Sequence, residues 1–148
     1  MKTLSILSIY IKFIQSEYQQ MKKLIINNQR GYFPKITLDK EANVFEICGK
    51  SLPENAVEFY SPVIKWIKEY IQDPNPETIF TINLDYFNSS SLKKIFEILM
   101  KLKHLTTIDK KIIVKWYYDE NDDKMYKRSL DIQAVLNISI EFIKKNKP

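Results

Sequence analysis

Apolar and polar residues alternate along this chain in five short stretches, and longer stretches with apolar residues three and four apart separate them. Alternation predicts β-strands, and the longer spacing predicts amphipathic helices. Residues 32–39 and 44–47 flank a polar turn, which is typical of a β-hairpin. Further strands are predicted at 78–84, 110–117 and 138–143, the first of them in the centre of the sheet.

Helices are predicted in the three intervals between these strands. The one before residue 78 has a single apolar face, formed by Tyr60, Val63, Ile64, Ile67, Tyr70 and Ile71. Pro62 lies within it and removes a backbone donor, which predicts a kink near Ser61 or two short helices with Ser61 capping the second. The next helix has its core face at Leu92, Ile95, Phe96, Leu99 and Leu102.

Strands that alternate with helices require crossover connections. The pattern therefore predicts an α/β fold with a mixed sheet of four to five strands, an N-terminal hairpin and three helices packed on the sheet. We expect residues 22–148 to form one domain and residues 1–21 to be an extension of uncertain status.

Within that extension, apolar residues at helical spacing (Leu4, Leu7, Ile11 and Ile14) suggest a peripheral helix. The stretch resembles a short signal peptide, but Lys12 interrupts it and no small-residue cleavage site follows. It is also too short to span a bilayer, so no stable membrane insertion is predicted.

Composition excludes several kinds of site. The chain has 148 residues and only two glycines, too few for a phosphate-binding loop or a dinucleotide-binding glycine motif. Cys48 is the single cysteine and is predicted to be a buried thiol. The single histidine, His104, is expected at the solvated end of a helix, and no Cys/His cluster has zinc-site spacing. Neither a metal nor a cofactor is predicted.

The net charge of +5 raises the question of nucleic-acid binding. The lysines are scattered over helix faces, however, and the densest run, residues 144–147, is expected to be a solvated tail. We therefore expect no nucleic-acid partner.

A polar turn at residues 88–91, here called the serine turn, joins the central strand to the helix that follows. Asn88 is suited to cap that helix, and Ser89, Ser90 and Ser91 would occupy its first turn. Capping alone would explain these residue types. The same position also places hydroxyl groups beside unpaired backbone amides at the positive end of the helix dipole, where a phosphate is well accommodated.

Four motifs in the order of the chain match one family. They are Ser51-Leu52-Pro53-Glu54-Asn55, the helix from Phe59-Tyr60 to Trp66, the block from Leu84 to Ser91, and Trp116-Tyr117-Tyr118-Asp119. With these motifs, the stretch from Tyr32 to about Phe142 resembles the SiaC-type regulatory phosphoproteins, whose fold is similar to STAS domains and anti-sigma-factor antagonists.

The resemblance implies a non-catalytic, cytoplasmic signalling protein that is phosphorylated on Ser89, the hydroxyl residue directly after Asn88. It further implies a dedicated Ser/Thr kinase, a metal-dependent phosphatase and an output protein, such as a diguanylate cyclase, that binds the unmodified form. Family members often have threonine at this position, so Ser90 and Ser91 remain alternative acceptors.

Residues expected at the same edge of the sheet are predicted to contact the partner: Pro53, Glu54, Asn55, Tyr86 and Tyr117. Tyr86 and Trp116 could equally be ordinary core or rim aromatics.

Two other classes of function compete with a phosphorylated switch. An enzyme with Ser89 as nucleophile would need His104 as its base, yet that histidine is expected several turns away along the same helix, so no triad can form. A constitutive binding module that is never phosphorylated would use the same turn as a fixed interface. The sequence leaves this second alternative open.

Overall fold

A computed structural model of the chain describes residues 2–17, 20–27 and 30–146. Its strands are β1 (Leu24–Ile26), β2 (Lys35–Asp39), β3 (Val44–Ser51), β4 (Glu77–Phe87), β5 (Lys111–Tyr118) and β6 (Ile140–Lys144). Its α-helices are α1 (Lys2–Glu17), α2 (Ala56–Tyr70), α3 (Ser89–Lys103) and α4 (Asp123–Leu136). A short 3₁₀ helix, His104–Ile108, continues directly from α3.

The strands form one sheet in the order β1-β2-β3-β4-β5-β6, which is also their order along the chain. The first three strands pair antiparallel, whereas β3 to β6 pair parallel through crossover helices. The mixed α/β fold, the hairpin and the central β4 are therefore as predicted. The predicted counts were too low: β1 has only three residues, too short for an alternation pattern to reveal, and α1 adds a fourth helix.

Helices α2, α3 and α4 pack side by side on one face of the sheet. Alternate strand residues point toward them and form the core, with Ile47, Phe80, Ile82 and Val114 fully buried. The intervening residues, including Glu46, Thr81 and Lys115, lie half-buried on the opposite face, which we call the open face. The parallel strands end at one edge of this sheet, the carboxyl edge, where the serine turn lies.

The α2 helix is a single continuous helix, so the prediction of two short helices was wrong. Asn55 caps it by accepting a hydrogen bond from the Glu58 amide at 3.1 Å. Pro62 lies inside the helix and is exposed. The carbonyl that loses a donor there belongs to Glu58, which is also exposed, so water can take the place of the missing amide.

Cys48 was expected to be buried but is only partly so. It lies between the buried positions of β3 and therefore points to the open face. Burial and the neighbouring Glu46 carboxylate still raise the pKa of the Cys48 thiol. The thiol is thus a half-buried surface group of the sheet.

The C-terminal lysine run was expected to be a solvated tail, and the structure corrects this for two of its residues. Lys144 is the last residue of β6, and its ammonium lies 2.6 Å from a carboxylate oxygen of Glu120. The backbone amide of Lys145 donates to the Tyr118 carbonyl at 2.8 Å. Lys147 lies outside the described residues.

The opposite edge, where β4 begins, is the amino edge. There Tyr70 and Thr78 share a buried hydrogen bond of 2.7 Å, and the Asn75 amide donates to the Tyr70 hydroxyl at 3.1 Å. The indole N–H of Trp66, near the C-terminal end of α2, donates to the Lys22 carbonyl at 2.7 Å. This bond fixes the segment that precedes β1 to the helix layer.

The predicted peripheral helix is present as α1. Its large apolar side chains are exposed, among them Ile6, Leu7, Ile9 and Tyr10. None of its described side chains belongs to the core or to the residues packed against the core. In the part of the chain that the structure describes, no helix is long and apolar enough to cross a membrane.

Candidate functional site

Asn88 organises the serine turn. Its backbone is extended, and its side-chain oxygen accepts from the Ser91 amide at 2.9 Å, which makes it the N-cap of α3. Its side-chain amide donates to the Pro53 carbonyl at 3.3 Å, and its backbone amide donates to the Ser51 carbonyl at 3.1 Å. A single residue therefore caps α3 and joins the loops that follow β3 and β4.

The three serines of the turn occupy different environments. Ser89 and Ser90 are exposed, whereas Ser91 is fully buried. The Ser90 hydroxyl donates to the Asn88 side-chain oxygen at 3.0 Å. Within the described part of the chain, the Ser89 hydroxyl has no hydrogen-bond partner. Ser89 is thus the serine whose hydroxyl is both exposed and not committed to the cap.

A buried network of three hydroxyl groups lies beneath the turn. Ser51, the last residue of β3, donates to the Ser91 hydroxyl at 2.8 Å, and Ser91 donates to the Ser51 carbonyl at 3.0 Å. The Tyr60 hydroxyl of α2 lies 2.6 Å from the Ser51 hydroxyl. Because the Ser51 proton is already used, Tyr60 must be the donor in that bond. All three side chains are fully buried, so this network, here called the hydroxyl lock, joins β3, α2 and α3.

Burial keeps the Tyr60 phenol of the hydroxyl lock protonated. Burial raises the pKa of Tyr60 to about 12, and the hydrogen bonds to Ser51 and Ser91 offset only part of that increase. A charged phenolate would lose its hydration and could no longer donate to Ser51. Tyr60 therefore acts as a neutral structural donor at ordinary pH.

The electrostatics of the turn favour an anion. The amides of Ser91 and Leu92 are taken by Asn88, but those of Ser89 and Ser90 have no acceptor within the described residues. The first turn of α3 contains no acidic side chain to offset the helix dipole. Lys93 lies one helical turn after Ser89 on the same side of α3 and is exposed.

A β-bulge lies just before the turn. Gly49 pairs with Leu84, but Lys50 pairs with Tyr86, so Asp85 is an extra residue in β4. Gly49 has a positive φ of 98°, which glycine adopts readily. The Lys145 ammonium donates to the Leu84 carbonyl at 3.1 Å and to the Asp85 carboxylate at 3.0 Å. The residue after β6 thereby ties down the irregular end of β4.

The residues predicted to contact a partner are placed in three ways. Pro53 is buried and holds the turn through its carbonyl, while Glu54 and Asn55 are exposed in the adjacent loop. Tyr86 is 56% exposed, directly before Phe87 and the turn. Tyr117 lies half-buried on the open face, in register with Ile143 of β6, so it is one strand away from the end of β4. Trp116 belongs to the core.

Sequence reasoning missed the hydroxyl lock and the Lys145 contact, although the chain carries signals for most of this arrangement. Ser51 continues the buried alternation of Phe45 and Ile47, and Ser91 lies four residues before the buried Ile95. Both serines therefore fall on core-facing positions. Gly49 inside a strand pattern is also a signal for a bulge. The lysine contact depends on residues 60 positions apart and has no such local signal.

Within the described part of the chain, no histidine lies near the serine turn. His104 lies at the C-terminal end of α3, exposed, as predicted. Since α3 is 15 residues long, the imidazole is about 20 Å from the serine turn at a rise of about 1.5 Å per residue. Among the described residues, no group of three or more His, Cys, Asp or Glu side chains could hold a metal ion.

The chain matches known proteins over the region that contains this site. A family model described as SiaC family regulatory phosphoprotein matches residues 26–145. An uncharacterised protein of Pseudomonas aeruginosa (strain UCBPP-PA14) is 28% identical over 92 residues, which cover 62% of this chain and 73% of that protein.

Solved structures agree on the fold. SiaC of Pseudomonas aeruginosa is 25% identical and superposes with a TM-score of 0.72, covering 84% of this chain and 98% of that one. The crystal structure of apo-SiaC from the same organism superposes with a TM-score of 0.73 at 25% identity, covering 85% of this chain and 100% of that one. A third structure is that of the diguanylate cyclase SiaD in complex with its activator SiaC, also from P. aeruginosa. The matching chain superposes with a TM-score of 0.75 at 23% identity, covering 82% of this chain and 99% of that one.

These matches define a class of small α/β regulators. The chain belongs to the SiaC family of regulatory phosphoproteins.

Proposed function

We propose that this protein is a cytoplasmic, non-catalytic partner switch controlled by phosphorylation of Ser89. A dedicated Ser/Thr kinase adds the phosphate, a metal-dependent phosphatase removes it, and the unmodified form binds an output protein. The observation that carries the proposal is the exposed Ser89 hydroxyl beside the amides of Ser89 and Ser90, which have no acceptor within the described residues.

The chemistry of phosphorylation suits this position. A phosphoryl group adds about −1.5 to −2 charges and three strong acceptor oxygens. The two amides can donate to those oxygens, and the positive end of the α3 dipole favours the added charge. The fold should therefore tolerate the modification with little change in its free energy of unfolding.

The three serines differ as acceptors. Ser91 is buried in the hydroxyl lock and would reach a kinase only after local unfolding. Ser90 is exposed but donates to the cap, and the lysine one turn after it, Lys94, is already paired with Glu97 at 3.0 Å. Ser89 has the exposed Lys93 at the corresponding position. A phosphate on Ser89 thus gains a nearby cation that a phosphate on Ser90 would have to share.

The partner surface follows from the same geometry. Glu54, Asn55 and Tyr86 are exposed around the serine turn, and we propose that they form the rim of the interface, with Tyr117 farther along the open face. A phosphate at its centre would have to be desolvated on binding, which is costly without a basic counterpart on the partner. SiaC of P. aeruginosa is the activator of the diguanylate cyclase SiaD. We propose an output enzyme of that kind here.

Mass spectrometry of the protein isolated from its own source, with phosphatases inhibited, tests the modification. We expect one phosphate on Ser89, absent from Ser89→Ala and retained in the matched control Ser90→Ala. A phosphate found reproducibly on another residue, or none in the wild type, would contradict the proposal.

Binding of the output protein tests the switch. We expect Ser89→Glu to weaken capture of the partner at least about tenfold, since an uncompensated charge at an interface costs more than about 1.4 kcal/mol. Ser89→Ala should bind as the wild type does. If both variants bind equally well and no phosphate is found, the turn is a fixed interface of a constitutive binding module.

A further inference from the structure

The α1 helix has an apolar surface that the domain does not cover. Ile6 and Ile9 are 66% and 67% exposed, and Leu7 and Tyr10 are 54% and 61% exposed. Exposed apolar residues grouped on one element mark an interaction surface more often than scattered ones do. The family match begins at residue 26, so α1 lies outside the part of the chain that carries the switch.

The distribution of residues around α1 is amphipathic. Over residues 5–15, the apolar side chains from Ile9 round to Ile11 occupy roughly 200° of the helix circumference at about 100° per residue. The remaining arc is polar and carries Ser5, Ser8, Lys12 and Gln15. A helix of this kind can lie in the plane of a membrane with its apolar side among the acyl chains.

The width of the apolar arc argues against a second copy of α1 as its occupant. Pairing two helices in a coiled coil covers only a narrow seam, formed by two positions in every seven. Such a pair would leave much of the arc in water. A lipid surface covers the whole arc at once.

Charge specifies the kind of membrane. Residues 1–23 contain four lysines and one glutamate, and so supply three of the five net positive charges of the chain. Lys12 is on the polar arc, while Lys22 and Lys23 follow the helix and are exposed. Lysines next to an interfacial helix attract anionic lipids, each contributing about 1 kcal/mol near the surface.

We propose that α1 binds the surface of an anionic membrane, with its apolar arc inserted at the boundary between headgroups and acyl chains, and holds the regulatory domain there.

Co-sedimentation of the full chain with vesicles tests this proposal. We expect binding to vesicles of phosphatidylcholine and phosphatidylglycerol, and at least about tenfold weaker binding to pure phosphatidylcholine or at high salt, where the electrostatic attraction is screened. The double variant Ile6→Ser, Ile9→Ser should reduce binding to the anionic vesicles at least about tenfold, because it removes two inserted side chains without changing the charge.

A matched control is available on the domain itself. Val57 and Val135 are 65% and 68% exposed on α2 and α4, so Val57→Ser, Val135→Ser removes a similar exposed apolar surface elsewhere. This control should bind vesicles as the wild type does, and both double variants should keep the wild-type melting temperature. Three results would overturn the proposal: no binding to anionic vesicles, equal loss in the control, or α1-dependent dimers that do not sediment with vesicles.

Discussion

Helices α3 and α4 begin at the same edge of the sheet, each after a parallel strand and each with a side-chain cap, yet they begin differently. Asp122 caps α4 and Asp123 adds a carboxylate in its first turn, so negative charge already offsets the dipole. The start of α3 has a neutral cap and no acidic residue in its first turn. A modification such as phosphorylation could therefore supply the negative charge that the start of α3 lacks.

The two starts also differ in how they are anchored. Asn88 bonds to both Ser51 and Pro53, and Ser91 is part of the hydroxyl lock. Asp122 accepts from the Met125 amide of α4 at 3.1 Å and donates its own amide to the Asp119 carbonyl of its loop at 3.0 Å, so both bonds are local in sequence. The serine that we propose to be phosphorylated thus lies on the start that is tied to the core. We infer that modification there changes the surface and leaves the fold in place.

The largest expected effect comes from breaking the hydroxyl lock. Ser51→Ala removes the acceptor of the buried Tyr60 hydroxyl and a donor to Ser91, so we expect a loss of about 3 kcal/mol in the free energy of unfolding. Denaturant titration measures it. The control Ser90→Ala, at an exposed site, should cost less than about 0.5 kcal/mol. Equal effects in the two variants would mean that the hydroxyl lock does not anchor α3.

Alkaline pH should weaken the same lock without a mutation. The pKa of Tyr60 is raised in the folded state to about 12, from an ordinary value near 10 in the unfolded chain. The stability that this shift contributes is fully present below about pH 10 and is lost as the pH rises toward 12. The free energy of unfolding should fall by about 2–3 kcal/mol in all. The free energy of unfolding, measured from pH 8 to 12, should fall more steeply for the wild type than for Tyr60→Phe. Parallel curves would contradict this role.

Removing the two caps should affect α3 more than α4. We expect Asn88→Ala to cost about 1.5–2 kcal/mol and Asp122→Ala about 1 kcal/mol, since Asn88 also bonds to the loop after β3. Thermal unfolding of both variants gives the comparison. A larger loss for Asp122→Ala would reverse the proposed difference in anchoring.

The smallest effect is electrostatic. Ser89→Glu should stabilise the protein by about 0.3–1 kcal/mol by placing a carboxylate at the start of α3, and Asp123→Asn should remove a similar amount at the start of α4. Both changes in the free energy of unfolding should become smaller at high salt. A salt-independent loss of stability for Ser89→Glu would indicate that the turn cannot accept a negative charge.

Most of the fold could be predicted because its elements depend on residues that are close together in the sequence. The faces of α2 and α3, the hairpin and the cap at Asn88 each depend on residues within a few positions of one another. Pro62 left a kinked helix or two short helices open for α2, and only the second is ruled out, since an exposed proline costs the helix one bond that water can replace.

Parts of the candidate site could not be read in this way. The bond between Ser51 and Ser91 joins residues 40 positions apart, and Lys145 reaches Asp85 across 60. Register between strands creates these contacts, and no spacing within one strand or helix encodes it. The open position of Cys48 is a different case, because the alternation of Phe45 and Ile47 already points it outward, whereas the prediction followed the general tendency of free cysteines to be buried.

The hydrogen bond between Trp66 and Lys22 bears on the orientation that the domain would take at a membrane. It attaches Lys22, five residues after the end of α1, to the amino edge, while the serine turn lies at the far end of α2, a helix about 22 Å long at a rise of about 1.5 Å per residue. With α1 bound as proposed, the domain would stand on the membrane with the proposed phosphorylation site pointing into the aqueous phase. Anchoring would then concentrate the switch in two dimensions without hiding Ser89 from soluble enzymes.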